Sequence, residues 1–139
     1  MPTDLAATAE FVHVDAVEIH AEESDYVHGA NIDRPAADSG ADSYALLIVG
    51  WVLSKEIPVE HVEVLHEEQQ VAVGPLERER PDLAAGFPEV AGAERSGYRL
   101  KLNTLRVAAE FELVLRAKLQ DGTRLPLGRI RGHRRRLPA

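Results

Sequence analysis

The longest apolar stretch in the chain, Ser43 to Leu53, has no polar face. At alternate positions one side carries Ala45, Leu47, Val49, Trp51 and Leu53, and the other Tyr44, Leu46, Ile48, Gly50 and Val52. A strand with this pattern must be covered on both sides. The β-branched and aromatic members, the glycine in the middle and the strand-like neighbours favour it over a buried helix. We therefore place Ser43 to Leu53 as a central strand, with Trp51 turned into the core.

The segments on either side alternate. Phe11 to His20 sets Val12, Val14 and Ala16 against Val17 and Ile19 and reads as an edge strand. Tyr26 to Ile32 is a second short strand, stopped at Asp33-Arg34-Pro35 because proline brings no amide donor and biases the residue before it away from helix. Ala36 to Asp42 reads as a loop. After a turn at Pro58, Glu60 to Glu67 places Val62 and Val64 on one side and His61, Glu63 and Glu67 on the other, so it reads as a half-exposed strand. Glu67 to Gln70 is a polar turn, and Val71 to Val73 pairs back until Gly74-Pro75. Arg80 to Pro88 carries the helical signal, with Pro81 at a first helical position and Gly86 one short turn later.

Tyr98, Leu100 and Leu102 then alternate with Arg99, Lys101 and Asn103. Phe111, Leu113, Leu115, Ala117 and Leu119 alternate with polar positions up to the Asp121-Gly122 hairpin turn, and Arg124 to Ile130 is the return strand. About eight short strands with turns between them and no strand–helix alternation predict an all-β fold. We expect an antiparallel immunoglobulin-like β-sandwich with one short inserted helical turn. Residues 1–10 are assigned as a flexible N-terminus, 11–130 as the sandwich and 131–139 as an Arg-rich tail or linker.

Composition narrows the function classes. The 139 residues fit one domain, and the absence of cysteine excludes a disulfide framework, thiol chemistry and cysteine-ligated zinc. Met1 to Glu10 lacks the basic and apolar parts of a signal peptide, and no later run is long enough to span a bilayer, so a soluble cytoplasmic chain is expected. All 23 acidic residues lie at or before Asp121, within a formal net charge of −7, while the last 16 residues carry six arginines. An acidic body repels a polyanion, which argues against nucleic acid as a ligand.

The candidate chemistry is thin. His13 and His20, seven apart, and His61 and His66, five apart, fall on opposite faces of flat strands and read as scattered surface histidines. Asp33, Asp38 and Asp42 share a loop without the spacing of an EF-hand. Ser96 lacks the glycine-flanked elbow of a nucleophile, and the sequence has no phosphate loop, so neither catalysis nor a cofactor is expected. Arg80 and Asp82 flank Pro81, where they form either a local structural clamp or a ligand site. With Trp51, Tyr98 and Phe111 turned inward, Tyr26, Tyr44, Phe11 and Phe87 are left for a binding surface, and Tyr44 starts a buried strand, which favours docking over glycan stacking.

Three landmarks occur in order: Gly50-Trp51-Val52 with Pro58-Val59 and Val62-Glu63-Val64; Arg80-Pro81-Asp82-Leu83 with Phe87-Pro88; then Ser96-Gly97-Tyr98 and Asp121-Gly122. Together they resemble the β-sandwich accessory modules attached to bacterial glycosyltransferases and related surface-polysaccharide enzymes, over roughly residues 14 to 130. The resemblance implies a non-catalytic module beside a transferase domain, which docks a partner or the neighbouring catalytic domain, or holds a glycan. In it the Arg-Pro-Asp segment looks like a fold signature, with no catalytic residue to carry over. The rival reading is a free-standing protein-interaction domain, or one that self-associates as a homodimer through the Phe11 to His20 edge.

Overall fold

A computed structural model describes residues 10–20, 26–90 and 92–136. Among the described residues nine strands form an antiparallel β-sandwich: β1 (Val12–Ile19), β2 (Val27–Arg34), β3 (Ser39–Ala41), β4 (Ala45–Ser54), β5 (Val59–His66), β6 (Gln69–Gly74), β7 (Gly97–Asn103), β8 (Glu110–Leu119) and β9 (Arg124–Arg134). The same residues include a short helix, α1 (Pro81–Gly86), and 3-10 turns at Ala93–Arg95 and Thr104–Arg106. A six-stranded sheet runs β3-β1-β9-β8-β5-β6 and a three-stranded sheet runs β2-β4-β7. Among the described residues no helix is long and apolar enough to cross a membrane.

The apolar stretch is the middle strand of the smaller sheet, covered on both faces. Leu46, Ile48 and Val52 point into the core against Val62, Val64, Leu113, Leu115 and Ile130. On the opposite face Val49 and Leu53 are also buried. Gly50 is required here, because a Cβ would collide with the Asn31 carbonyl and the Tyr98 hydroxyl. Tyr98 fills that space, fully buried, and donates its hydroxyl to the Asn31 carbonyl at 3.1 Å. Burial, with the Asp33 charge nearby, raises its pKa.

Four expectations are corrected. Trp51 is not a core residue. It pairs with Asn31 and Gly97 on the outer face of the smaller sheet and is half-buried. The reason is parity: both faces of β4 are apolar, so alternation could not say which one meets the other sheet. Second, β1 is an edge only in its second half, since over Val12–Val14 it lies between β9 and β3, and β3 forms within the stretch assigned as a loop. Ser39, Gly40 and Ala41 carry no apolar alternation that would have marked them as a strand.

Third, the Arg-rich end is not a tail as far as Arg134. β9 continues to pair Arg131 with Ala16 and Glu112, and Arg134 with Val12. Arg129 and Arg131 point outward while Ile130 and Gly132 are buried, so the charges hid the alternation. Arg134 closes the end of the sandwich by donating to the Thr104 and Val107 carbonyls at 2.9 and 3.1 Å. Fourth, Glu63 points away from the core as expected but is only 3 % exposed. Its neighbours across the sheet enclose it. Residues 1–9 of the assigned N-terminus and 137–139 of the assigned tail lie outside the described residues.

Candidate functional site

The outer face of the three-stranded sheet gathers the candidate residues. The 77–78 segment runs beside the start of β7, where Arg78 and Gly97 exchange backbone hydrogen bonds at 3.0 and 3.2 Å, and then feeds α1. Pro81 can open the helix because its missing N–H would have had no partner there. The Arg80 carbonyl accepts from Leu83 and Ala84, and its N–H donates to the Glu94 carbonyl at 2.7 Å. Leu83 is the residue α1 buries.

From this anchor the Arg80 side chain crosses the sheet. A Cβ on Gly97 would crowd its Cγ, so the stem lies over β7, and its Nη1 reaches Asp33 on β2 at 2.7 Å. With β4 between those two strands, the guanidinium roofs the central strand near Val49 and Trp51. Asp82 holds the other edge of the fork, accepting from Nε at 3.0 Å and Nη2 at 2.8 Å. Asn31 Nδ2 donates to Asp33 at 2.7 Å. The bond to Asp82, with Asp33 adding, raises the Arg80 pKa against the opposing effect of burial. The same bond lowers that of Asp82.

Beside this cluster stands an aromatic surface. The Trp51 ring lies over Gly29, where a Cβ would sit 3.4 Å from it. Phe87, at the C-terminal end of α1, packs its ring 6.5 Å from both Trp51 and His28. All three rings are half-buried. Of the sequence candidates, Arg80, Asp82 and Phe87 thus share one face. Tyr26 stands just before β2, at the end away from Asp33, 41 % exposed, with its carbonyl accepting the Lys55 N–H at 2.8 Å.

Sequence reasoning placed Asp33 in a loop triad. In the structure the triad disperses: Asp33 goes to Arg80 and Asp38 to His13 at 3.1 Å. Among the described residues no group of three or more His, Asp or Glu is set to hold a metal ion. The Ser96 hydroxyl is buried and donates to the Ala93 carbonyl at 2.7 Å, which is a structural use. Asn31 and His28 carried no signal in the sequence, since both depend on what α1 brings over them.

The other cluster missed from sequence lies on the outer face of the larger sheet. Glu63 accepts from Arg116 at 2.6 Å and Arg124 at 3.3 Å and pairs with His61 at 2.9 Å. Burial by itself would raise its pKa, but these bonds outweigh it and hold the carboxyl at about 2. Each charge there is satisfied by the others.

Fold and site together define an antiparallel β-sandwich with an aromatic and carboxylate surface on its smaller sheet. Compared with known protein families, curated proteins and solved structures, the chain matches none.

Proposed function

We propose that the chain is a non-catalytic accessory module of a glycosyltransferase or related polysaccharide enzyme, and that it holds a saccharide on the outer face of the three-stranded sheet. The observation that carries this is the outward Trp51, with Phe87 and His28 beside it and Asn31, Asp33 and Asp82 at one end. Sugars are bound by stacking their C–H faces on aromatic rings while amides and carboxylates take the hydroxyls, and such sites are shallow. The sequence alone favoured docking because it turned Trp51 inward, and the outward ring removes that reason. Arg80 occupies both aspartates, which fixes their positions and leaves lone pairs on Asp82, the more exposed of the two, to accept sugar hydroxyl protons.

Trp51 is the only tryptophan, so its fluorescence reports directly on the face. Titration with neutral saccharides should shift that emission with a Kd tighter than ~1 mM, about −4 kcal/mol. A panel of saccharides that leaves the emission unchanged would sink the glycan reading. A second reading, a protein-interaction module, is favoured by one observation, an open length of β4 at Leu47.

A further inference from the structure

β4 lacks a neighbour along part of one side. The Thr104 N–H bonds the Tyr44 carbonyl at 2.9 Å, and the Val52 N–H bonds the Ser96 carbonyl at 3.0 Å. β4 and β7 pair without a register shift, so even-numbered residues of β4 turn their peptide groups to β7 and odd-numbered ones to the β2 side. β2 accompanies β4 only from Ser54 to Val49, which faces Arg34. The chain then leaves at Pro35 to become β3 in the other sheet. The Ala45 N–H is met by the Ser43 hydroxyl at 3.3 Å. Among the described residues the N–H and C=O of Leu47 have no partner.

These groups lie at a cleft of about 420 Å³ between the two sheets, walled by Val12, Val14, Pro35, Ala36, Ala41 and Leu46. We propose that the cleft is a strand-addition site, in which an extended, uncharged segment of a partner protein lies along β4 at Leu47 and continues the line of β2 past Arg34. Main chain is selected because an extended segment sets an acceptor and a donor side by side at the spacing Leu47 needs, as in other cases of strand addition. An acyl chain would fill the apolar walls but bury both Leu47 groups unsatisfied. Uncharged side chains are selected because the walls are mostly apolar: of the two charged lining residues, Asp33 is already held by Arg80 at 2.7 Å and Arg34 is exposed to water. This places the added strand on β4 of the smaller sheet, while Val12 and Val14 of the Phe11 to His20 segment give only side chains to the wall, because β1 pairs on both sides over Val12–Val14.

Amide hydrogen exchange on the full chain tests it, with the N-acetylated, C-amidated peptide Thr-Val-Ala-Val-Thr as probe. In the free protein the Leu47 amide should exchange at least ~10-fold faster than those of Leu46 and Ile48, which are bonded to β7. Saturating peptide should slow Leu47 by ~10-fold or more and leave its two neighbours unchanged. Leu47→Pro removes an N–H that has no ladder bond, so it should abolish peptide binding, read by titration calorimetry, while the melting temperature is kept. Ala36→Trp, at an exposed position, should plug the cleft with the same result and serves if the proline variant fails to fold. Slow exchange at Leu47 in the free protein, no effect of the peptide, peptide binding that survives the variants, or dodecanoate taking the cleft in the peptide's place would each overturn the proposal.

Discussion

The outer faces of the two sheets solve the same problem by different means. The larger sheet turns outward a lattice of charges joined by ion pairs: Arg129 with Glu112 at 3.0 Å, Arg131 with Glu18 at 3.5 Å, Lys118 with Glu60 at 3.3 Å, and Glu63 among Arg116, Arg124 and His61. The four strands β1, β9, β8 and β5 supply charges to one another. The smaller sheet turns outward Leu47, Val49, Trp51 and Leu53, and needs a roof from elsewhere in the chain. That roof is α1, the 3-10 turn after it and Arg80. A face satisfied by its own neighbours has little left for a ligand, whereas a roofed face leaves rings and polar groups exposed at the margin of the roof. Binding is therefore expected at the smaller sheet.

The largest effect that separates the two faces should come from the roof. Arg80→Ala removes a side chain that is only 17 % exposed, uncovers the apolar face beneath it and leaves Asp33 without its partner. A loss of about 2–4 kcal/mol is expected, read from chemical denaturation. An effect below about 0.5 kcal/mol would mean that α1 covers the sheet unaided. Next comes Trp51→Ala, which should cost about 2 kcal/mol, less than the ~3–5 of a fully buried tryptophan, because the ring is half-buried. The variant should stay folded and lose saccharide binding. Failure to fold at 37 °C would return Trp51 to the core.

On the charged face the sharpest test is Glu63→Gln. The group is enclosed, and its three partners are shared, so a loss of about 1–2 kcal/mol is expected at neutral pH. Its folded pKa, about 2, lies below the ordinary value of 4.5. A depressed carboxylate stabilises the fold above its unfolded pKa, and that contribution is lost as pH falls through the folded one. The difference between wild type and variant should therefore shrink as pH falls between 4.5 and 2. A difference that persists at pH 2 would assign the cost to shape rather than charge.

How far each face was legible in the sequence follows from the same contrast. β7 and β8 alternate cleanly, and Tyr98, Leu100, Leu113 and Leu115 are buried as expected. Asp121-Gly122 is the turn its residues demand, with Gly122 at φ 94° and Asp121 accepting from the Thr123 N–H at 2.9 Å. The Glu67-Glu68 turn was found only from the strands around it. Both residues adopt positive φ, 51° and 69°, where glycine or asparagine is usual. Arg80 was legible as a clamp, but its partner Asp33, 47 residues earlier, was not, since nothing local connects them. The orientation of Trp51 was unreadable because the whole of β4 is apolar.

The smallest effect isolates burial from distance. Arg129 and Glu112 lie 3.0 Å apart, the same separation as Arg80 Nε from Asp82. The difference is the burial of the arginine: the side chains of Arg129 and Glu112 are 51 % and 45 % exposed, whereas Arg80 is 17 % exposed although Asp82 is 61 % exposed. Water and salt screen the first pair, and holding two long side chains together opposes it, so exposed pairs contribute little. Arg129→Ala should change stability by no more than about 0.5 kcal/mol, and 0.5 M salt should erase even that. A loss comparable with that of Arg80→Ala would mean that the ion pairs of the larger sheet act as one network, and that its outer face depends on each member as the smaller sheet depends on its roof.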